Sequence, residues 1–128
     1  MIFNLFGRKA EFVPTDFFVP VECGGKKFKI NVGDLQCYKK TQAALAEIQQ
    51  MQANLATIDP KTGYDELLEK LTACIDAFLG YAGATKDALG DKANNFYNCY
   101  EFVLYLNAKM TAARFDLTKR KAAQYAKK

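Results

Sequence analysis

Two short segments near the N-terminus have the polar and apolar pattern of strands. Residues 17–23 are mostly apolar, and residues 27–32 alternate polar and apolar side chains, as in a strand with one face toward solvent. Gly24 and Gly25 join the two segments, and a glycine pair supplies the positive φ angles of a tight turn. We therefore predict a β-hairpin over residues 15–33, which is too small to be stable alone and must pack on helices or on another copy.

Three longer segments carry apolar residues at helical spacing. The first spans residues 35–57, where Asp34 is a candidate N-cap, and the second spans residues 64–81. The third spans residues 92–118 and has Asp91 as its candidate cap. The pattern thus predicts three main helices after the hairpin.

A glycine-rich connector separates the second and third helices. Gly80, Gly83 and Gly90 punctuate it, and Thr85 is placed to cap a short helical turn that ends at Leu89. The predicted fold class is therefore α+β and mostly α, with an N-terminal β-hairpin followed by a bundle of about three main helices and a short helical connector.

The length of 128 residues fits one domain. We assign residues 15–118 to it, residues 1–14 to an N-terminal arm and residues 119–128 to a basic C-terminal tail. The apolar run that opens the arm is too short for a signal sequence, and no segment approaches the roughly 20 apolar residues of a membrane span. We expect Phe3 and Phe6 of the arm to pack on this chain or on a neighbour, and we expect no membrane association.

The residue types exclude several kinds of chemistry. The chain has no histidine, so it has neither a Ser-His-Asp nor a Cys-His catalytic pair, and it has no histidine ligand for a metal. No two cysteines have the Cys-x-x-Cys spacing of a zinc site. We predict no catalytic residue, no metal, no cofactor and no enzymatic activity, and we expect four reduced thiols in a reducing cytoplasm: Cys23, Cys37, Cys74 and Cys99.

The positive charge is concentrated at the C-terminal end. The net charge is +4, and residues 109–128 hold seven bases against one acid. Such an end can contact phosphates, or it can be a solvated helix end whose cations complement the helix dipole. The basic residues of the predicted tail are Lys119, Arg120, Lys121, Lys127 and Lys128.

The third helix is rich in aromatic residues. Residues 96, 100 and 103 share one face, while residues 97, 104 and 105 form a second apolar stripe beside it. One stripe suffices for the core of a monomer, so the second indicates either a surface that meets another protein or a helix buried on several sides.

Three runs in the second half of the chain resemble small proteins encoded in the tail modules of phages and prophages. They are CIDAFLG at residues 74–80, GATKDALGD at residues 83–91 and NNFYNCYEF at residues 94–102. The group is identified with the tail assembly chaperones of long-tailed phages. This chain departs from it in the N-terminal arm and at Leu89, where phenylalanine is common.

The resemblance implies a non-enzymatic chaperone that self-associates in the host cytoplasm and is absent from the mature virion. Its client would be the tape measure protein, a long apolar helical chain, and tail tube subunits would be a further partner. A groove lined by apolar side chains is a common way to bind such a helix. Our candidate residues for the core and the client surface together are Phe78, Tyr81, Leu89, Phe96, Tyr97, Tyr100 and Tyr105.

The alternative function is a small nucleic-acid-binding module. It would use the bases of the C-terminal tail as phosphate contacts, and its affinity would fall steeply with salt. The nearest basic cluster lies beyond the aromatic residues instead of between them, which disfavours stacking of bases on those rings.

Overall fold

The computed structural model describes residues 16–54 and 63–126, and it describes side chains as far as residue 124. The predictions for residues 1–14, for the end of the first helix after residue 54, and for Lys127 and Lys128 lie outside these residues. The elements are β1 (Phe18–Cys23), β2 (Lys26–Asn31), α1 (Leu35–Ala53), α2 (Gly63–Leu79), α3 (Ala84–Leu89), a 3-10 helix (Gly90–Asn94) and α4 (Phe96–Ala126). The predicted fold class, α+β and mostly α with an N-terminal hairpin before the helices, is confirmed.

The hairpin packs on the helices. β1 and β2 are antiparallel, with Val21 opposite Phe28 and a turn at Gly24 and Gly25, whose φ angles are 57° and 83°. Val21 is buried in the core. The backbone N–H of Glu22 donates to the hydroxyl of a tyrosine on α4 at 3.3 Å, so α4 lies beside β1. The hairpin therefore gains from the helices the stability that two strands alone lack.

Helix α2 forms the centre of the molecule and contacts α1, α3, α4 and β2. Its buried face includes Leu67, Leu71, Cys74, Ile75 and Phe78, which recur at helical spacing. Helix α1 packs along it and begins as predicted. The Asp34 carboxylate accepts hydrogen bonds from the backbone N–H groups of residues 36 and 37 at 2.9 and 3.3 Å.

Two predicted caps are wrong. Thr85 does not cap α3, because the N-cap position is Gly83, which has a φ of 87°, and Thr85 is buried inside the helix. Asp91 does not cap α4, because it lies in the 3-10 helix, which delays the start of α4 to residue 96. The side chain of Asn95 takes that role and accepts a hydrogen bond from the backbone N–H of Asn98 at 3.0 Å.

The carboxylate of Asp76 on α2 holds the connector in place. It accepts from the backbone N–H of Thr85 at 2.8 Å and from that of Gly83 at 3.2 Å, and the Thr85 hydroxyl lies 2.8 Å from the same carboxylate. The hydroxyl also lies 2.9 Å from the backbone carbonyl of Thr72. A side chain of the neighbouring helix α2 thus accepts the hydrogen bonds of the backbone N–H groups at the start of α3.

Helix α4 has 31 residues, which corresponds to a length of about 46 Å. Its inner face buries Cys99, Val103, Leu106 and Met110. Farther along, the guanidinium of Arg114 donates to the carbonyl of residue 32 at 2.9 Å and lies over the ring of residue 38. The helix continues to Ala126, so the described bases of the predicted tail lie on its last turns.

Candidate partner-binding surface

The structure separates the seven candidate aromatic and leucine residues into three groups. Phe78 is part of the core and contributes nothing to the surface. Leu89, Phe96, Tyr100 and Tyr105 are half-buried against that core. The two exposed candidates are Tyr81 and Tyr97.

A groove with aromatic walls lies where the end of α1, the first turn of α2 and the first turns of α4 meet. It has a volume of about 600 Å³. We call it the aromatic groove, and it is lined by Gln52, Tyr64, Phe96, Tyr97, Tyr100, Glu101 and Leu104. Three of the seven candidates, Phe96, Tyr97 and Tyr100, are therefore brought together.

The rings of the groove pack around Phe96. Its centroid lies 5.9 Å from that of Tyr64 and 5.2 Å from that of Tyr97, and both pairs are close to perpendicular. The ring of Tyr100 lies parallel to Phe96 at 6.3 Å. Edge-to-face and stacked contacts of this kind are favourable, so they stabilise the observed ring arrangement.

Two side chains at the open side of the groove leave much apolar surface in water. Tyr97 is 73% exposed and Leu104 is 44% exposed. They are seven residues apart on α4, which puts them two turns apart on the same side of the helix. The arrangement presents a ridge of apolar surface with the length of a short helix-binding site.

Tyr81 and Tyr105 lie elsewhere. The phenol of Tyr81 donates to the carboxylate of Asp87 at 2.9 Å, and partial desolvation, together with this bond and the negative charge, raises the pKa of Tyr81. Tyr105 stacks on Phe102 at 6.1 Å and accepts the hydrogen bond from β1. These two rings therefore brace the connector and the hairpin.

Sequence reasoning missed four residues of the aromatic groove, namely Gln52, Tyr64, Glu101 and Leu104. Tyr64 and Gln52 come from the facing ends of two helices, and only the packing of α1, α2 and α4 brings them beside Phe96. Leu104 was on the second stripe of the sequence pattern but not among the candidates. Its position one turn beyond Tyr100 is the signal that identifies it.

None of the four cysteine thiols is an activated nucleophile. Burial raises the pKa of all four cysteines, and it raises that of Cys74 to about 12. At neutral pH these thiols are protonated and therefore weakly nucleophilic. Among the described residues, no group of three or more Cys, Asp and Glu side chains is placed to hold a metal ion.

The basic residues lie far from the aromatic groove. Lys119, Arg120 and Lys121 are exposed on the last turns of α4, about 22 Å along the helix axis from Leu104. Arg120 forms an ion pair with Asp116 at 3.0 Å, and the ammonium of Lys121 lies 5.3 Å from the centre of the Phe17 ring. Both cations thus have partners within the chain.

None of the helices described is long and apolar enough to span a bilayer. Comparison of the chain with protein-family models, with curated proteins and with solved structures found no match.

Proposed function

We propose that this chain is a non-enzymatic tail assembly chaperone of a long-tailed phage or prophage, which acts in the host cytoplasm. It self-associates and binds an apolar helix of the tape measure protein before the tail tube forms around that protein. The observation that carries the proposal is the aromatic groove, in which Tyr97 and Leu104 present exposed apolar surface at helical spacing.

The groove suits an apolar helix for energetic reasons. Burying a Leu or aromatic side chain that was exposed contributes roughly 1.5–3 kcal/mol. The rings are already held by their contacts with Phe96, so little side-chain entropy is lost on binding. Gln52 is half-buried and Glu101 is exposed, so polar side chains in contact with water accompany the apolar rings, as is common at protein interfaces.

The chemistry of the chain supports a binding role. It has no histidine, and its four cysteines are weak nucleophiles because burial favours their protonated form. The nucleic-acid alternative has less support, since no described cation lines the aromatic groove and two of the three described bases near the C-terminus are engaged within the chain.

The test is co-expression of the full chain with the tape measure protein encoded by the same genome. We expect the wild-type chain to keep that protein in the soluble fraction and to co-purify with it. The variant carrying both Tyr97→Ser and Leu104→Ser should lose at least tenfold in the amount captured, because two apolar contacts worth about 1.4 kcal/mol in total account for that factor.

The matched control carries Phe18→Ser and Leu35→Ser. These side chains are exposed to a similar extent but lie outside the groove, so the control should capture the tape measure protein as the wild type does. Capture that is equal for the groove variant and the wild type, or a wild-type chain that leaves the tape measure protein insoluble, would overturn the proposal. A shift in the electrophoretic mobility of a DNA or RNA probe that disappears when residues 119–128 are removed would support the nucleic-acid-binding alternative.

A further inference from the structure

The apolar surface of the aromatic groove continues along the outer side of α4. Exposed positions that are three, four or seven residues apart lie within a narrow arc of the helix surface. We call this row the outer stripe, and it consists of Tyr97, Leu104, Ala108, Thr111, Phe115, Thr118 and Ala122. It extends about 38 Å along the helix, and Phe115 near its far end is 70% exposed.

We propose that the outer stripe binds α4 of a second copy in the antiparallel direction, which produces a two-fold symmetric dimer. The inference rests on the self-association in the proposed function and specifies its surface and orientation. A symmetric interface requires a stripe that is complementary to itself.

The order of large and small residues satisfies that requirement. With the two-fold axis between residues 109 and 110, Leu104 lies opposite Phe115 of the second copy, and Ala108 lies opposite Thr111 of the second copy. The small residues at the centre allow the two backbones to approach closely. The large ones pack across each end, where each copy supplies one partner.

The charges select the antiparallel direction. Glu101 and Lys119 are both exposed on the same side of α4 as the stripe, and neither takes part in the ion pairs seen among the described residues. The proposed register brings Glu101 next to Lys119 of the second copy, and symmetry repeats the contact. In a parallel pair, Glu101 of one copy and Lys119 of the other would lie 18 residues, or about 27 Å, apart along the helix axis, so this attraction would be absent.

The hairpin is a poorer surface for self-association. The edge of β1 faces α4, where Tyr105 accepts the hydrogen bond from Glu22, and Pro20 on the same strand has no N–H to offer. On β2, Lys27 and Lys29 are exposed, and lysines on an edge strand oppose the addition of another strand. These features favour α4 as the dimer surface.

The dimer has a consequence for client binding. The last turns of α4 from the second copy would lie over Tyr97 and Leu104, so they would cover the aromatic groove. A client helix and the second copy would then compete for the same side chains. This competition would shield the exposed rings until the client is present.

The test is charge reversal in the purified full chain, with the dimer dissociation constant measured by sedimentation velocity at low ionic strength. We expect Glu101→Lys and Lys119→Glu each to weaken the dimer about tenfold or more, because each change turns two attractions into two repulsions. The double variant with both changes should recover the wild-type constant. An equimolar mixture of the two single variants should form a heterodimer, since every contact is then between opposite charges.

The control is Lys86→Glu, which makes the same charge change at an exposed residue of α3 and should leave the dissociation constant unchanged. A wild-type chain that stays monomeric would overturn the inference together with the self-association in the proposed function. Single variants that dimerise normally would overturn the inference alone, because another surface would then hold the two copies together. Failure of the double variant or of the mixture to recover the dimer would also overturn it. No client is present in this experiment, so its failure is independent of the test of client binding.

Discussion

Leu104 and Leu106 are the same residue type, two positions apart on α4, and the fold places them in opposite environments. Leu106 is completely buried in the core, while Leu104 is 44% exposed at the aromatic groove. The inner face of α4 meets α2 and the hairpin. Apolar positions on one helix therefore have different uses, some in the interior of the chain and others at its surface.

An apolar stripe on a helix does not by itself indicate burial. The free energy of folding depends on Leu106, because its side chain is removed from water when the chain folds. The side chain of Leu104 keeps much of its contact with water in the folded chain, so its apolar surface remains available to a partner. Three experiments test this difference between the interior and the surface of the folded chain.

The largest expected effect comes from truncating the inner leucine. Leu106→Ala should reduce the free energy of unfolding by about 2–5 kcal/mol, because it removes buried methyl groups and leaves a cavity. Leu104→Ala is the matched control and should change it by no more than about 0.5 kcal/mol. Urea denaturation followed by circular dichroism measures both, and equal losses would contradict the division of α4 into two faces.

A second experiment tests the interior through the thiol of Cys74, whose pKa burial raises from 9.0 to about 12. The folded chain binds this proton more tightly than the unfolded chain. The resulting stabilisation is present below pH 9 and is lost as the pH rises toward 12. The contribution of Cys74 to the free energy of unfolding should fall by about 1.6 kcal/mol between pH 9 and pH 10.5, because the slope rises from about half of 1.4 kcal/mol per pH unit at pH 9 to nearly the full value.

Urea denaturation under reducing conditions at several pH values measures this slope. Cys74→Ala should make the decrease with pH shallower, and Cys23→Ala should do so to a smaller extent because that thiol is only half-buried. If the slope is the same in Cys74→Ala and in the wild type, the thiol is not sealed in the interior.

The smallest effect of the three is expected at Asp76, which lies between the interior and the surface. Asp76→Ala should reduce the free energy of unfolding by about 1–2 kcal/mol, because the N–H groups at the start of α3 lose their acceptor. Asp76→Asn keeps one acceptor oxygen and should lose less. Thermal unfolding measures the order of stability of the wild type and the two variants. An Asn variant that is less stable than the Ala variant would contradict the role of Asp76 as a hydrogen-bond acceptor.

The parts of the fold that sequence reasoning predicted are those set by local pattern. The alternation of polar and apolar residues over 27–32 and the glycine pair at residues 24 and 25 specify the hairpin. Asp34 caps α1 as expected. The caps at Thr85 and Asp91 were wrong because residues that could cap a helix are common near a connector. Asn95 caps α4, and a side chain from α2 satisfies the start of α3.

The candidate site was predicted only in part, because some of its residues are brought together by the packing of separate elements. The aromatic residues of α4 were apparent in the sequence, but Phe78 belongs to the core and Tyr105 braces β1. Tyr64 and Gln52 joined the groove only through the packing of the helix ends. Contacts between residues distant in the chain depend on how elements pack, which local spacing does not specify.

By itself, the sequence determined the order of the elements, the absence of histidine chemistry and the presence of two apolar stripes on the last helix, because all three follow from residue types and their spacing. Which positions of these stripes are buried depends on the tertiary structure, since α2 and the hairpin cover the inner face of α4 with Val103 and Leu106, leave Tyr97 and Leu104 largely in water, and half-bury the rings between them. Burial is a property of the assembled elements, and apolar positions on one helix become different only when neighbours cover some of them.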